Sequence, residues 1–352
     1  MTVRVGIAGC GFIGTLHSFV LGAVVRAGLV DAVVTATHDL DEGRAARLAE
    51  PHGAHVHTDL DGFLDSVDAI WVCTWTAAHQ PLVAAAVERG LAVFCEKPLA
   101  PSLAECEAVA GLLVCVPHQV GLVLRHAPVF RAMAEELASG RHGRLLACLM
   151  RDDQYFPTQG QYGSDWRADV ARAGGGTLLE HSIHDVDVLA WVLGEPTSAR
   201  AETANRFGHA GIDDVAVVTL GFDDGAHATL LSVWHQVLSR SSSRRLEVFC
   251  EEAFLWADND YLGPLHVETS AGPAVVAAEL PAWAGKLDVP TEHLASVTQY
   301  AEPTIAFLGA LAAGGANAVG WPDATTALSA HRIVDAAYRS AAANGTSTRV
   351  RG

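Results

Sequence analysis

The chain has 352 residues, half of them hydrophobic, and a formal net charge of −17. This length is sufficient for two domains with a core in each. The strong negative charge would repel nucleic acid and anionic membrane surfaces, so neither is an expected partner. The longest apolar stretch, residues 19–34, is interrupted by Arg26 and Asp31, which argues against a membrane span.

The cysteines indicate the compartment. There are seven, an odd number, mostly within apolar runs, and no two are spaced as C-x-x-C. Such a pattern favours reduced, buried thiols, and it makes a cysteine-built zinc site improbable. The chain also enters its first strand without an evident signal peptide. We therefore expect a cytoplasmic protein.

The first element predicted is a strand, a glycine turn and a helix. An apolar run over residues 3–8 precedes Gly9, Gly11 and Gly14, and apolar residues at helical spacing follow. In a dinucleotide-binding turn the first glycine permits a tight bend. The second lets the backbone approach the pyrophosphate, and the third lets the helix pack on the strand. The helix N-terminus then offers free N–H groups to the phosphates, starting at Phe12 and Ile13.

An acidic residue follows the next predicted strand. Residues 33–37 are rich in β-branched side chains, and Asp39 comes two positions later. A carboxylate there accepts hydrogen bonds from the ribose hydroxyls and repels a 2′-phosphate, which favours NAD over NADP. The alternative is that Asp39 only caps a helix that starts near Asp41.

Strands and helices continue to alternate up to about residue 123, which predicts a doubly wound parallel sheet of the α/β class. Predicted strands lie at 68–73, 92–95 and 119–123, and predicted helices at 79–88 and 102–113.

From residue 124 onward, short strands dominate and indicate an antiparallel sheet with helices on one side. Asp223-Asp224-Gly225 between two such strands is a hairpin signal. Strands are predicted at 144–150, 214–222, 226–234, 245–250, 252–256 and 265–269, and helices at 130–139, 292–311 and 323–343. We expect two domains, 1–123 and 124–352, with a cleft at their seam.

The tripeptide Glu96-Lys97-Pro98 stands directly after the predicted strand 92–95. Ligands of open α/β sheets bind beyond the carboxyl ends of the strands, so Lys97 is expected near the nicotinamide. An ammonium group there can donate a hydrogen bond to a substrate oxygen and stabilise alkoxide charge. The alternative is a solvated surface lysine.

A second candidate site follows three glycines at 174–176. The segment after them is predicted to be one helix through Leu193, which would place Glu180 and His184 on the same face. Histidine titrates near neutral pH, as suits a general base that takes a hydroxyl proton. Asp185 and Asp187 would orient the imidazole or cap locally. His181, His184 and Asp187 could also suggest a metal site, but no other residue has the spacing that would complete it, so no metal is expected.

Together these segments resemble the Gfo/Idh/MocA family of oxidoreductases. The matching pieces are the glycine turn with His17 after it, Glu96-Lys97-Pro98, residues 141–143 and the segment 174–187. The resemblance covers nearly the whole chain. It implies an N-terminal Rossmann domain and a C-terminal α+β domain with an open, mainly antiparallel sheet for substrate binding and oligomerisation. It also implies that Lys97 and His184 form the catalytic pair.

One position departs from the family pattern, because Glu180 stands where an aspartate is usual. Glu180 would hold the substrate or tune His184. The resemblance places further residues near the cofactor: Thr74, Trp75, His79, Glu96 and Arg167. Residues expected to contact the substrate, besides the catalytic pair and Glu180, are Arg125, Tyr155 and His235, with His126, Asp153 and Gln154 as weaker candidates. Arg167 could instead be part of a structural ion pair.

The function that the resemblance implies is NAD-dependent hydride transfer to or from a sugar, cyclitol or related polyol, in a homodimer or homotetramer. Two alternatives remain at this point. One is a lyase or glycosidase-type enzyme with tightly held NAD and no net redox change. The other is a non-catalytic protein that senses nucleotide or sugar.

Overall fold

The computed structural model describes residues 1–314 and 320–350; residues 351–352 of the expected second domain therefore lie outside the described part. The chain divides into two compact units. Unit 1 comprises residues 1–123 and 281–328, and unit 2 comprises residues 124–280 and 329 onward. Within this range, residues 281–314 and 320–328 pack with the first unit, whereas the sequence expectation assigned them to the second domain.

Up to residue 123, strands and helices alternate as predicted. The elements are β1 (Val3–Ala8), α1 (Phe12–Arg26), β2 (Ala32–His38), α2 (Glu42–Ala49), β3 (His55–Val56), α3 (Leu60–Asp65), β4 (Ala69–Val72), α4 (His79–Glu88), β5 (Ala92–Cys95), α5 (Leu103–Leu113) and β6 (His118–Val120).

The remaining elements are α6 (Pro128–Ala138), β7 (Leu145–Tyr155), α7 (Val170–Ala173), α8 (Ile183–Leu193), β8 (Ser198–Ala204), β9 (Val215–Gly221), β10 (His227–His235), β11 (Ser243–Cys250), β12 (Ala253–Ala257), β13 (Leu265–Thr269), β14 (Gly272–Val276), α9 (Thr291–Ala312), α10 (Ala324–Ala342) and β15 (Thr348–Arg349).

Unit 1 contains a parallel sheet of six strands in the order β3-β2-β1-β4-β5-β6. Every residue of β4 and β5 is buried, as expected for strands covered on both faces. Helix α9 packs on α1, where Val297 and Ala301 join an apolar cluster with Val20 and Val24. This packing explains why residues 281–328 belong to unit 1.

Unit 2 contains a sheet of nine strands in the order β14-β13-β12-β11-β7-β10-β9-β8-β15. Among the strand pairs described, only β7 and β10 run parallel. Inward side chains such as Val218, Leu230, Leu246 and Val248 form the core with α6 and α8. The predicted fold class, a Rossmann sheet followed by a mainly antiparallel sheet, is confirmed.

Two details of unit 2 differ from the sequence expectations. Strand β7 continues to Tyr155, so Asp153 and Gln154 lie within the sheet and not on a loop beyond it. Strand β8 was not predicted, because Ala, Arg and Glu are weak strand formers. Its backbone pairs with β9 and β15, and this tertiary context outweighs the local preference.

Candidate active site

Four segments with predicted site residues leave the same edge of the parallel sheet. In the register of the sheet, Ala8 at the end of β1 lies beside His38 of β2 and Val72 of β4. Val72 in turn lies beside Cys95 of β5. The strands therefore end side by side. The residues that follow these ends are Gly9, Asp39, Cys73-Thr74 and Glu96-Lys97.

The glycine turn has the geometry of a phosphate cradle. Gly9 has φ +90°, and a Cβ on Gly14 would lie 2.0 Å from the carbonyl oxygen of Gly9, so both positions need glycine. A Cβ on Gly11 would meet nothing within 4 Å. No side chain caps α1, whose first residues are Phe12 and Ile13. Open space next to uncapped helix N–H groups fits the pyrophosphate of a dinucleotide.

Asp39 lies against this turn. Its Oδ2 accepts a hydrogen bond from the backbone N–H of Cys10 at 2.6 Å, and its Oδ1 accepts one from the N–H of Asp41 at 2.8 Å. Helix α2 is instead capped by Asp41, which accepts from the N–H of Arg44. The helix-cap alternative for Asp39 is therefore wrong, and its carboxylate is placed at the end of β2 beside the cradle.

Glu96 is an internal group and not a surface ligand. Its carboxylate is buried, with Oε1 2.7 Å from Nε2 of His17, and its Oε2 accepts from the backbone N–H of Lys97 at 3.1 Å. A Cβ on Gly121 would lie 2.5 Å from Glu96 Oε1, so glycine makes room for the carboxylate. We therefore revise its predicted role from cofactor contact to support for Lys97.

His79 is also internal. Its ring is buried, and its Nδ1 and Nε2 lie 3.3 Å from the carbonyl oxygens of Leu99 and Thr74 respectively. Burial lowers the pKa of His79, which keeps the imidazole neutral. It joins the segment that carries Thr74 and Trp75 to the segment after Lys97, and we assign it this structural role. Cofactor contact by Thr74 and Trp75 stays a prediction.

In unit 2, the segment after the three glycines is not one regular helix. Thr177–His181 forms a π-helical turn, and α8 begins at Ile183 after Ser182. Glu180 and His184 therefore belong to different helical segments. The expectation that one regular helix places them on the same face is wrong. His184 lies in the first turn of α8 and is mostly buried.

Glu180 forms an ion pair with Arg167, as the alternative reading of Arg167 anticipated. Arg167 Nε donates to Glu180 Oε1 at 2.7 Å, and its Nη1 donates to Ser164 Oγ at 2.9 Å. The guanidinium also lies over the ring of Trp166, 4.6 Å from its centroid. The longer side chain of glutamate at position 180 therefore has a basic partner in the same unit.

Arg125 is engaged by a carboxylate. Its Nε and Nη2 donate to the two oxygens of Asp187 at 2.8 and 2.7 Å, and both side chains are almost completely buried. Such a bidentate pair has strict geometry. Arg125 therefore has a structural role, and its substrate contact stays a prediction. Its neighbour His126 faces Arg131 at 2.9 Å.

Tyr155 and His235 lie at neighbouring strand ends. The hydroxyl oxygen of Tyr155 accepts from the N–H of Gln161 at 3.2 Å. His235 Nδ1 accepts from the N–H of Val237, and its Nε2 lies 3.4 Å from Asp153, which also binds Arg240. Their predicted contact with substrate stays a prediction, as does that of Gln154.

Arg244, which was not among the residues predicted from the sequence, binds three aspartates inside unit 2. A signal was present in the sequence. Alternate residues of β11 point into the core, and Arg244 falls in the same alternation as Leu246 and Val248. An arginine at an inward strand position requires buried carboxylate partners.

The fold and these strand ends define a dinucleotide-binding oxidoreductase. Residues 3–120 match the model of the oxidoreductase family with an NAD-binding Rossmann fold, and residues 130–255 match the model of the GFO/IDH/MocA C-terminal domain. The chain belongs to the Gfo/Idh/MocA family of oxidoreductases.

Individual relatives agree with this membership. The chain is 34% identical to inositol 2-dehydrogenase 2 of Saccharopolyspora erythraea over 64% of its length; the match spans 65% of that relative, just under two thirds. It is 31% identical to the uncharacterized oxidoreductase YrbE of Bacillus subtilis over 77% of both chains. Levoglucosan dehydrogenase in complex with NADH and L-sorbose has the same fold, with a TM-score of 0.86 over 99% of both chains at 20% identity.

Among residues 1–314 and 320–350, no helix has the length and apolar character needed to cross a membrane.

Proposed function

We propose that the protein is an NAD-dependent dehydrogenase or reductase that acts on a hydroxyl-bearing carbon of a sugar, cyclitol or related polyol. The observation that carries the proposal is the shared sheet edge, where the glycine cradle, Asp39 and Lys97 follow strands that end in register. The substrate class is supported by the likeness to an inositol 2-dehydrogenase.

Bound NAD would supply the hydride acceptor. Lys97 would donate a hydrogen bond to the substrate oxygen and stabilise its negative charge as the O–H bond breaks. His184 would accept the hydroxyl proton. Oxidation of the carbinol to a carbonyl would release one hydride, which NAD would accept when bound, and one proton, which the imidazole would accept.

Support for Lys97 comes from its anchored backbone. The Lys97 N–H donates to Glu96, and Glu96 is held in turn by His17 on α1. Helix α1 is the same helix whose N-terminus forms the cradle. The position of Lys97 is therefore coupled to that of the cofactor-binding turn within unit 1.

We propose that Glu180 acts together with Arg167. Glu180 accepts a hydrogen bond from Arg167, and the carboxyl group of a glutamate is also suited to accept hydrogen bonds from substrate hydroxyl groups. The remaining N–H groups of Arg167 are suited to a phosphate or carboxylate partner, which supports its predicted cofactor contact.

The function is tested on dialysed protein with added NAD and a panel of inositols, aldoses and amino sugars, following absorbance of reduced nicotinamide. Turnover with a polyol is expected, and Lys97→Met should abolish it while leaving NAD affinity within about threefold. Unchanged turnover in Lys97→Met would refute the assignment. Cleavage of a glycoside without net NADH would instead indicate the lyase-type alternative.

We also propose that the protein forms a homodimer or homotetramer through the outward face of the nine-stranded sheet. Phe254 on this face stacks on both Phe249 and Trp256, and Leu231 lies opposite Val217. Exposed apolar side chains grouped on one face are typical of a protein interface. The substitution Leu231→Glu should shift the mass in analytical ultracentrifugation toward the monomer, whereas Val114→Glu, at an exposed helix end in unit 1, should not.

We propose a cytoplasmic location because of the state of the cysteines. All seven have free thiols, and six of them are buried. Such thiols persist in a reducing compartment. The test is to denature the isolated protein with an alkylating agent and without a reductant: all seven cysteines should be alkylated, whereas disulfides would leave some of them unmodified.

A further inference from the structure

Beneath the start of α8 lies a buried group of charged side chains, which we call the Arg244 cluster: Arg244, Asp152, Asp185, Asp260 and His181. All belong to unit 2. The side chains of Arg244 and the three aspartates are each at most 7% exposed. They come from β7, β11, the segment after β12 and the segment around the start of α8.

Arg244 is the centre of the cluster. Its Nε donates to Asp185 Oδ1 at 2.6 Å and its Nη1 to Asp260 Oδ2 at 2.7 Å. Its Nη2 lies 3.4 Å from Asp152 Oδ2. The backbone N–H of the same arginine also donates to Asp260 at 3.0 Å. One guanidinium thus serves three carboxyl groups, which leaves an excess of negative charge if all three are ionised.

The donors are unevenly distributed over the carboxyl groups. Besides Arg244, Asp152 faces Nε2 of His181 at 3.0 Å and accepts from Ser182 Oγ at 3.0 Å. Asp185 Oδ2, by contrast, is buried and has no hydrogen-bond donor among the residues that the structure describes. A buried carboxylate oxygen without a donor is costly, whereas a carboxyl O–H at the same position could donate to Asp152.

The electrostatics agree with that distribution. Burial raises the pKa of Asp185 well above its ordinary value; Arg244 opposes this shift, and the Asp152 carboxylate adds to it. Burial also acts to raise the pKa of Asp152, but Arg244 and His181 outweigh it and hold that pKa below its ordinary value. The phenols of Tyr162 and Tyr261, which also face Arg244, stay neutral because burial raises their pKa values.

We propose that Asp185 carries a proton that it donates to Asp152, and that this pair and Arg244 are positioning residues for His184. The inference rests on the proposed function, in which His184 is the base. His181, Ser182 and Asp185 are each bound by the cluster, and these three positions bracket His184. The turn before α8 is π-helical, with the backbone N–H of Ser182 bonded to the carbonyl oxygen of Thr177, and the side-chain contacts of the cluster add to this backbone bonding.

The proposal makes an asymmetric prediction for the two aspartates. Asparagine has the shape of a protonated aspartate. In Asp185→Asn the amide oxygen would accept from Arg244, and the amide NH₂ would donate to Asp152. In Asp152→Asn the negative charge that faces Arg244 and His181 is lost, and an NH₂ group replaces one of the two acceptor oxygens. The first substitution should therefore be tolerated and the second should not.

The test compares Asp185→Asn, Asp185→Ala, Asp152→Asn and Arg244→Met for kcat and KM with the polyol, the pH profile of kcat, NAD affinity and thermal unfolding. Asp185→Asn should retain kcat within about threefold, with an unchanged pH profile. The other three should lose at least tenfold in kcat per NAD-binding site. The acid limb of the pH profile should move in Asp152→Asn.

Two results would overturn the inference. If Asp185→Asn lowers kcat as much as Asp185→Ala does, the proposal that Asp185 carries a proton and donates it to Asp152 is wrong. If folded Asp152→Asn and Arg244→Met keep the parent kcat and pH profile, the cluster stabilises the fold without positioning His184. If Asp152→Asn or Arg244→Met fails to fold, the comparison of Asp185→Ala with Asp185→Asn decides. The inference then requires a loss in kcat in Asp185→Ala and none in Asp185→Asn.

A measurement that does not depend on enzyme activity, the stability to urea at different pH values, separates this inference from the proposed function. Because the folded state is proposed to hold the proton, the stability of the parent to urea should fall relative to that of Asp185→Asn as the pH rises above the ordinary pKa of an aspartate. This result can hold even if His184→Gln and Lys97→Met keep full turnover, in which case the proposed function fails and the shared proton stands.

Discussion

Nε2 of His17 lies 2.7 Å from Oε1 of Glu96, although 79 residues separate the two in the chain. This contact joins α1, which starts at the glycine cradle, to the end of β5, where Lys97 follows. The ring of His17 is enclosed by Phe94 and Tyr300, with centroids 4.9 and 5.7 Å away. A polar contact in such surroundings should affect both stability and the position of Lys97.

We expect His17→Leu to lower the free energy of unfolding by about 3 kcal/mol, because it leaves the buried Glu96 carboxylate without that partner. It should also lower kcat for the polyol. Urea unfolding and steady-state kinetics measure the two effects. His17→Gln is the control, since its amide can still donate to Glu96, and it should recover part of both losses. Equal damage in the two variants would contradict the role of the hydrogen bond.

The glycine cradle allows a matched pair of variants. A Cβ at Gly14 would clash with the Gly9 carbonyl, whereas a Cβ at Gly11 would extend into open space. Gly14→Ala should therefore destabilise the fold. Gly11→Ala should leave the unfolding temperature nearly unchanged and weaken NAD at least tenfold, by occupying the space that the pyrophosphate needs. Thermal unfolding and NAD titration test both, and full NAD affinity in Gly11→Ala would be evidence against the cradle.

Asp39 should determine the preference for NAD over NADP. Asp39→Asn keeps an acceptor for the Cys10 N–H but removes the charge that repels a 2′-phosphate, so the NAD-to-NADP affinity ratio should fall at least tenfold, about 1.4 kcal/mol. Asp41→Asn is the control, because it removes an equal charge two residues away at the helix cap. The ratio should hardly change there. Fluorescence titration with both cofactors would measure it.

Asp187 should make stability fall as the pH rises. Burial raises its pKa to about 6 from an ordinary 3.8, against the lowering effect of Arg125. The folded state therefore binds the proton more tightly than the unfolded state. The stabilisation is present in full below about pH 4 and is lost as the pH rises to 6; a shift of this size corresponds to about 3 kcal/mol.

The measurement is urea unfolding at pH 4.5 and pH 7.5 for the parent and for Asp187→Asn. Asparagine cannot ionise, and its amide oxygen can still accept from Arg125. The free energy of unfolding at pH 7.5, relative to that at pH 4.5, should be higher in the variant than in the parent. Other ionisable groups contribute equally to both proteins, so their effects cancel in this comparison. An unchanged difference would show that Asp187 ionises alike in both states.

Several features followed from the sequence alone. The spacing of Gly9, Gly11 and Gly14 between an apolar strand and a helix predicted the cradle, and the regular alternation of strands and helices predicted a parallel sheet. In such a sheet all strands end at one edge, so Asp39 and Lys97 could be placed at the same edge of the sheet as the cradle. These inferences succeeded because each depends on a local pattern combined with a general rule of topology.

Only the tertiary structure decided which charged groups bind each other. Arg167 with Glu180, Arg125 with Asp187 and the Arg244 cluster join residues from separate elements, and local spacing carries no information about such pairs. Local spacing likewise did not predict the π-helical turn at 177–181 or the packing of α9 in unit 1. Burial makes an unpaired charge so costly that the folded chain must supply a partner, but the identity of that partner depends on the sheet register and helix packing that bring distant residues together.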